Sequence, residues 1–232
     1  MIDIHTHLMP GVDDGVKTVE EALECLKAME ENGVEAVFLT PHVAKKRRYY
    51  KLDVFHERFA LIQEALKAEK RSINVYLGSE IDESDGLFED IEKAPSMNGT
   101  NVYMIDYGMR EANIEESIYE CLVRGVHVIV AHPERLDYLD FKRLKAIKAE
   151  GALFQVSAPH LIKMGDRRAQ KMARKLLKED LIDFVASDTH SSHNRMDIMA
   201  KAYRYVKKKK GADVAHKIFY MNAKALMCDY RD

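Results

Sequence analysis

The sequence has few cysteines, an almost balanced charge and no long apolar run, and each shortage argues against a class of protein. The cysteines at positions 25, 121 and 228 lack CxxC spacing, which fits a reducing compartment better than a disulfide scaffold. No apolar run is long enough to span a membrane, and the first residues do not resemble a signal peptide. The net charge of -2 lacks the basic excess of a general nucleic-acid binder. We therefore expect a cytoplasmic globular protein with no membrane insertion and no nucleic-acid partner.

Glycine-rich phosphate loops are absent as well. Neither GxGxxG nor GxxxxGK[ST] follows the first apolar run, so the sequence indicates neither a dinucleotide fold nor a P-loop. Cys25 and Cys121 do not belong to a C-x5-R loop, which argues against a cysteine-based phosphatase; both lie in helical patterns and are expected to be buried. No linker, repeat or low-complexity segment divides the chain. The simplest prediction is a single domain over residues 1–232.

Short β-branched runs alternate with longer amphipathic segments along the whole chain. The seven strand candidates span residues 2–5, 35–42, 73–81, 101–107, 126–134, 152–158 and 183–190. Helical periodicity covers residues 18–33, 54–70, 113–125, 140–151, 167–180 and 195–211, and a helical tail follows. Thr18 and Glu21 form a capping-box pattern, and glycines 33, 125 and 151 stand where helices end. This alternation predicts parallel strands, in either a closed barrel or an open doubly wound sheet.

Side chains with metal-binding chemistry follow these strand candidates. Residues i and i+2 of a strand point to the same face, so His5 and His7 can aim two imidazoles at one point. The other strand ends carry further imidazoles, carboxylates and a guanidinium, namely His42, Glu80, Asp106, His132, Glu134, Arg135, Asp188 and His190. In a parallel barrel the active site forms at this same end of every strand. The sequence therefore predicts a metal site there.

The remaining histidines carry a weaker signal. His56 and His216 lie in helical patterns and are expected at the surface, and His127 begins a strand at the opposite end. His160 follows the sixth strand at the correct end and is a weak candidate. His193 is either an orienting residue or part of a loop.

The types of candidate ligand restrict the ion. Nitrogen and oxygen ligands without thiolate suit Mn, Zn or Fe and disfavour copper(I) and iron–sulfur chemistry. Eight or nine ligands exceed the needs of one ion, so two or three ions are implied. A carboxylate such as Glu80 can bridge two ions about 3.5–4 Å apart.

Five motifs, "DIHTH", "TPH", "GSE", "HPER" and "SDTH", occur in an order and spacing that resemble the PHP (polymerase and histidinol phosphatase) superfamily. This resemblance implies an α/β fold with a distorted (β/α)7 TIM-like barrel and a trinuclear metal site. "DIHTHLMPGVDDG", "QVSAPHL" and "ASDTHSSHNR" are especially similar to the bacterial manganese-dependent protein-tyrosine phosphatases of capsule and exopolysaccharide operons. The resemblance covers nearly the whole chain.

The same resemblance implies three ligand sets. One ion would be held by His5, His7, Glu80 and Asp188, a second by Glu80, Asp106 and His132, and a third by Asp14, His42 and His190. Arg135 and Arg195 would bind and orient the substrate phosphate. Asp14 matches the family ligand better than Asp13, although both stay open. Asp106 stands where the family has Glu, so either the strand end moves inward or the second ion binds more loosely.

The implied activity is hydrolysis of phosphotyrosine on a protein, typically the tail of a bacterial tyrosine kinase. The expected mechanism is in-line attack by metal-bound hydroxide without a phosphoenzyme, with Mn as the best fit and Fe or Zn as alternatives. The stretch "VAKKRRYYK" is either an exposed charged loop or a substrate-binding segment in which Lys45 and Arg47 attract acidic phosphopeptide. The sequence makes no prediction of oligomeric state.

Three alternatives compete with this prediction. L-Histidinol phosphatase is the nearest, and the acidic "DDG", the compact length and the "SDTHSSHNR" ending argue against it. A PHP nuclease or proofreading module would more often be fused to other domains and be more basic. A phosphopeptide-binding protein that does not hydrolyse its ligand is the third, and the shorter Asp106 side chain keeps it open.

Overall fold

Parallel strands form the centre of the protein. The computed structural model describes residues 1–43, 52–83, 87–108, 113–191 and 196–227. Within these residues the strands are β1 Ile2–Thr6, β2 Ala36–Leu39, β3 His42–Val43, β4 Asn74–Leu77, β5 Glu80–Asp82, β6 Val102–Asp106, β7 His127–Ala131, β8 Leu153–Ser157 and β9 Phe184–Ala186. Every pairing between these strands is parallel.

The strands are joined in the order of a ring. One sheet has the order β1-β2-β4, and the other has the order β3-β5-β6-β7-β8-β9. Because β2 runs into β3 and β4 runs into β5 after two residues each, these four strands act as two continuous segments shared by both sheets. After β9, Asp188 N donates to His5 O (3.0 Å) and His7 N donates to Thr189 O (2.8 Å). The order therefore returns to β1, which confirms the α/β class and agrees with the predicted seven-stranded barrel.

Helices follow most of the strands. Their bounds are α1 Val19–Glu31, α2 Leu52–Ala68, α3 Leu87–Lys93, α4 Ile114–Val123, α5 Phe141–Ala149, α6 Ala158–Leu161, α7 Arg167–Lys178, α8 Ile198–Lys210, α9 Ala212–His216 and α10 Asn222–Lys224. A π-helical segment, Lys217–Met221, joins α9 to α10, and 3-10 turns occupy Met97–Gly99, Pro133–Arg135 and Ala225–Met227. Thr18 caps α1 by accepting from Glu21 N (3.2 Å), as predicted, whereas the Glu21 carboxylate accepts from Lys17 N (2.7 Å). No helix in the described part of the chain is both long and apolar enough to cross a bilayer.

Two apolar clusters lie on opposite faces of the strands. The larger cluster fills the layer between strands and helices and includes Val37, Ile105 and Val156. The smaller cluster, with Phe38 and Met104 among its members, fills the inner face of the ring. Side chains two residues apart on a strand share a face, so the polar residues that follow members of this cluster by two positions also point into the ring. They lie at the carboxyl ends of the strands, as Asp106 does after Met104 on β6.

Three details differ from the sequence-based prediction. The fifth strand ends at Ala131 rather than 134, because His132 adopts a left-handed conformation (φ 32°) and Pro133 cannot donate to a ladder. The seventh strand ends at Ala186 rather than 190, and Asp188 is also left-handed (φ 56°). The short helices α3 and α6 were not predicted. As predicted, Cys25 and Cys121 are buried and glycines 33, 125 and 151 have positive φ, whereas Cys228 lies outside the described residues.

Candidate metal centre

Three groups of imidazoles and carboxylates meet at the carboxyl ends of the strands. Within each group the possible ligand atoms all lie within 4.8 Å of one another. The first contains His5, His7 and Glu80; the second contains Glu80, Asp106 and His132; the third contains His7, Asp14, His42 and His190. Glu80 and His7 are each shared by two groups. The structure therefore brings eight of the nine predicted metal ligands into three overlapping groups.

The ninth, Asp188, lies beside the first group. Its Oδ1 is 3.6 Å from His5 Nε2 and 3.5 Å from His7 Nε2. The two imidazole nitrogens are themselves 3.2 Å apart and lie 3.4 and 3.3 Å from Glu80 Oε2. Two nitrogens and two carboxylates thus face one point, and all four residues are almost fully buried.

A local irregularity in β1 gives the two histidines their direction. Ile2 and Ile4 pack in the inner apolar cluster, so strict alternation would send His5 to the outer face. The pairing of β1 with β2 shifts register between Asp3 and Thr6, however. Such a bulge re-aims the side chain that follows it. His5 consequently points inward together with His7.

Each of three histidines is held through Nδ1, which leaves Nε2 directed at the centre. His5 Nδ1 donates to Gln155 Oε1 (2.9 Å), and His190 Nδ1 donates to the carbonyl oxygen of Asp188 (3.0 Å). His7 Nδ1 donates to Asp13 Oδ2 (2.7 Å). Partners of this kind fix the tautomer and ring orientation of metal-binding histidines.

The two adjacent aspartates of "DDG" have different positions. Asp13 is buried, and its carboxylate accepts from His7, from Gly15 N (2.9 Å) and from His42 N (3.0 Å). Asp14 is exposed, and its Oδ1 lies 3.6 Å from both His42 Nε2 and His190 Nε2. Asp14 therefore lies with His42 and His190 in the third group, whereas Asp13 is hydrogen-bonded to His7.

Glu80 occupies the position between the groups. Its Oε1 is 2.9 Å from His132 Nε2, whereas its Oε2 is 2.9 Å from His42 Nδ1. The two oxygens thus face different groups, which is the geometry of a bridging carboxylate. Asp106 closes the second group, with Oδ1 3.9 Å from His132 Nδ1. The shorter aspartate therefore still reaches the site.

The electrostatics of the site favour ionised carboxylates, and they favour protonated imidazoles at His7 and His42. Burial alone would raise the pKa of Glu80, but contacts with His5, His132 and His42 hold the pKa well below its ordinary value. Burial would likewise raise the pKa of Asp188, and nearby imidazoles and Arg135 hold it low. Ionised carboxylates are the form that binds metal.

The imidazoles respond to the same charges. Burial opposes protonation of His7, yet its contacts with Asp13, Asp188 and Glu80 raise the pKa well above the ordinary value. Burial also opposes protonation of His42, but Asp82 and Glu80 raise its pKa to about 9. The pKa of His190 is lowered by burial and by His7. The carboxylates therefore favour positive charge at the centre, and bound divalent ions would supply that charge in place of the imidazole protons.

Arg135 reaches the edge of the centre. It donates to the Asp188 carboxylate and to Ser157 Oγ (3.1 Å). The neighbouring Glu134 is fully buried and accepts from Ser157 N (2.9 Å) and from His160 Nδ1 (2.7 Å). These bonds tie the Pro133–Arg135 turn to the end of β8. His160, the weak candidate, thus supports this turn and belongs to none of the three groups.

Two observations show that the residues fit divalent cations. His132 Nδ1 is buried and has no hydrogen-bond partner among the described residues. The ligand atoms are imidazole nitrogens and carboxylate oxygens, the donor types that Mn, Fe and Zn accept. Both features match a metal centre better than a hydrogen-bonded core.

Some predicted site residues cannot be compared with the structure. Arg195 and His193 fall within 192–195, and Lys45 and Arg47 fall within 44–51; both segments lie outside the described residues. As predicted, His56 and His216 are exposed and His127 is the first residue of a strand, β7. None of the three belongs to the three groups.

Sequence reasoning missed Gln155 and Asp82. Gln155 lies on β8 and holds both His5 Nδ1 and the backbone nitrogen of His132 (3.2 Å). Asp82 lies two residues after Glu80 on β5, and its Oδ1 is 3.4 Å from His42 Nδ1. The period of two along a strand identifies Asp82, since it must share the face of Glu80. Gln155 begins the motif "QVSAPHL", but nothing local in the sequence identifies the groups that its side chain contacts.

Known proteins are similar to this chain in sequence and in fold. A family model described as "Capsular polysaccharide synthesis, CpsB/CapC" matches residues 1–228. A tyrosine-protein phosphatase CpsB of Streptococcus pneumoniae is 30% identical over 99% of both chains. The CpsB of Streptococcus agalactiae serotype V is 29% identical over 98% of both chains. A structure from work on Bacillus subtilis YwqE and S. pneumoniae CpsB, described as unique metal-dependent tyrosine phosphatases, matches with a TM-score of 0.89 at 24% identity, covering 98% of this chain and 94% of that chain.

Proposed function

Since the chain belongs to the CpsB/CapC family of capsular polysaccharide synthesis proteins, we propose that it is a metal-dependent protein-tyrosine phosphatase. The observation that carries this proposal is the convergence of three overlapping ligand groups beside Arg135. Phosphate ester hydrolysis requires a strong nucleophile at neutral pH and compensation of the phosphoryl charge. Clustered divalent cations and a guanidinium are suited to both requirements.

The three ligand groups would hold three ions, with Mn as the expected metal. His5, His7, Glu80 and Asp188 would hold the first, Glu80, Asp106 and His132 the second, and Asp14, His42 and His190 the third. When bound, the ions would lower the pKa of a coordinated water and neutralise phosphoryl oxygens. Asp13, Gln155 and the Asp188 carbonyl keep the imidazole Nε2 atoms directed at the centre.

Arg135 would bind the substrate phosphate. A guanidinium offers planar paired donors that match two phosphate oxygens. Its contacts with Asp188 and Ser157 hold it beside the ligands before substrate arrives. Arg195 is proposed as a second phosphate-binding residue, and Lys45 and Arg47 as contacts for acidic phosphopeptide. The leaving tyrosine oxygen needs little help from a general acid, because its reference pKa is about 10.

The proposed substrate is a phosphotyrosine protein, in particular a bacterial tyrosine kinase, met in the cytoplasm. The similarity to tyrosine-protein phosphatases CpsB supports the phosphotyrosine part of this proposal. The whole chain is proposed to act as one PHP domain, which the unbroken order of strands around the ring supports.

Metal reconstitution tests the proposal. Metal-free protein with added Mn²⁺ should hydrolyse phosphotyrosine peptide faster than histidinol phosphate and should not cleave single-stranded DNA. Preference for histidinol phosphate or DNA would replace the proposal with another PHP activity. Binding of phosphopeptide without turnover would indicate a recognition module.

An arginine variant tests the role of the guanidinium. Arg135→Ala should lower kcat/KM by about 100-fold or more and leave metal content unchanged, because a charged donor to phosphate is lost. Arg124→Ala is the matched control, since Arg124 is an exposed arginine at the end of α4 that pairs with Glu120. Full activity of Arg135→Ala would remove Arg135 from the proposal.

A further inference from the structure

Three consecutive long helices carry a strong excess of positive charge. Helices α5, α7 and α8 contain four, six and six Lys or Arg residues and no Asp or Glu. The whole chain has a net charge of -2, so the opposite charge lies elsewhere. Helix α1, for example, has five Glu and one Lys. We call the outer surface of α5, α7 and α8 the basic face.

Contacts between the helices make the basic face continuous. Lys175 on α7 lies over the ring of Phe141 on α5, with Nζ 4.0 Å from the ring centre. Lys210 at the end of α8 donates to the carbonyl oxygen of Lys178 at the end of α7 (3.1 Å). Helices of 12 and 13 residues extend about 18–20 Å at 1.5 Å per residue. The face is therefore wide enough to meet an extended charged surface.

Most cations of the basic face point to solvent. Lys142, Lys145, Lys171 and the lysines at 207–209 are exposed, and none forms an ion pair within the described part of the chain. Arg143, Lys148, Lys201 and Lys210 are already paired with acids. Four acids pair with these cations, namely Glu115, Asp183, Asp197 and Asp180, and four more stand at the ends of α5 and α7, namely Asp140, Glu150, Asp166 and Glu179. They do not interrupt the cationic surface along the helices.

The composition of the face distinguishes between kinds of anionic partner. Protein interfaces are enriched in aromatic residues and depleted in lysine, and single-stranded nucleic acids require exposed aromatic rings for stacking. Within the described residues the exposed large apolar side chains are Tyr119, Val123 and Met221, and none belongs to these helices. Lysine also predominates over arginine among the exposed cations, which suits diffuse attraction rather than bidentate recognition.

We propose that the basic face binds the surface of a bilayer that contains anionic lipids. Clusters of lysines near such a surface bind by electrostatic attraction, without insertion of apolar side chains. The lack of apolar anchors predicts reversible, salt-sensitive binding. Because these helices lie on the outer side of the ring and the metal centre opens at its end, a bound protein keeps the centre accessible.

Vesicle co-sedimentation at low salt tests this proposal independently of catalysis. The full-length parent should bind phosphatidylcholine vesicles that contain phosphatidylglycerol and should not bind vesicles of phosphatidylcholine alone. Adding salt to about 0.5 M should release the protein, because the Debye length then falls below about 5 Å and the electrostatic attraction is screened. A Lys207→Gln, Lys208→Gln, Lys209→Gln variant should partition about 100-fold more weakly, since each lysine near an anionic surface contributes about fivefold.

A charge-matched control isolates the position of the charges. Lys27→Gln, Lys67→Gln, Lys70→Gln removes three exposed lysines from the neighbourhood of α1 and α2 and should bind vesicles like the parent. Both variants should keep parental circular dichroism and parental turnover of a small aryl phosphate. Equal loss in both variants, no preference for the anionic vesicles, or equally tight binding of duplex DNA would each overturn the proposal.

Discussion

The pair Asp13 and Asp14 provides the sharpest test of the metal centre, because adjacent carboxylates are assigned different roles. Asp14 faces His42 and His190 and is proposed to bind one ion. Asp13 is proposed to orient His7 rather than to bind an ion. It accepts a hydrogen bond from His7 Nδ1, and His7 belongs to two of the three groups. Asp14→Asn should therefore remove one ion per chain. Asp13→Asn should weaken binding of more than one ion without abolishing any single site.

The size of the Asp13 effect can be estimated from its contact. A hydrogen bond to a charged group contributes about 1.5–3 kcal/mol. This range corresponds to about 10–100-fold in affinity, which is also the usual effect of removing an orienting partner from a metal-binding histidine. The amide introduced by Asp13→Asn would keep one acceptor oxygen but could not serve His7, Gly15 and His42 together. We expect a loss of about 10–100-fold in Mn²⁺ affinity.

Metal analysis after dialysis gives the number of bound ions, and titration of the metal-free protein with Mn²⁺ gives the affinity. Asp213→Asn, at an exposed position on α9, serves as the control for loss of one negative charge. Circular dichroism verifies the fold. If Asp13→Asn loses one whole ion while Asp14→Asn keeps all of them, the two roles are reversed. If neither variant changes metal binding, the third ligand group does not hold an ion.

Three further outcomes follow from named contacts. Asp82→Asn should reduce affinity for the ion near His42 by about tenfold, measured by metal content at limiting Mn²⁺; unchanged content would make Asp82 irrelevant to that histidine. Because the pKa of His42 is raised to about 9, its imidazole carries a proton in the metal-free protein at neutral pH, and Mn²⁺ binding should release that proton. The Mn²⁺ affinity should therefore rise by about tenfold per pH unit for each proton released, and calorimetry in buffers of different ionisation enthalpy measures the number of protons. An affinity independent of pH would contradict this. Gly15→Ala should lower the free energy of unfolding by about 1–3 kcal/mol in urea denaturation, because a Cβ would lie 1.9 Å from His7 O; parental stability would contradict that close approach.

The local signals in the sequence were sufficient to locate the strands, most helices and most of the candidate ligands. Alternation of β-branched runs and amphipathic segments is a property of neighbouring residues, so it survives without knowledge of the tertiary structure. Parallel strands place all carboxyl ends on one side, which is why the strand ends alone identified seven of the eight members of the three groups. The eighth, Asp14, was predicted from the family resemblance.

The tertiary structure determined the direction of His5, the different roles of the two aspartates and the contacts of Gln155, none of which the periodicity of the sequence predicts. The bulge in β1 that turns His5 inward depends on how β1 pairs with β2, a partner more than 30 residues away. The roles of Asp13 and Asp14 depend on which carboxylate meets His7 after the loop folds back. Gln155 is joined to His5 across 150 positions of sequence. Local patterns predict which side chains share a face in a regular strand. The face at a bulge, and the partner that a side chain meets, are determined only when distant strands pair and close into a ring.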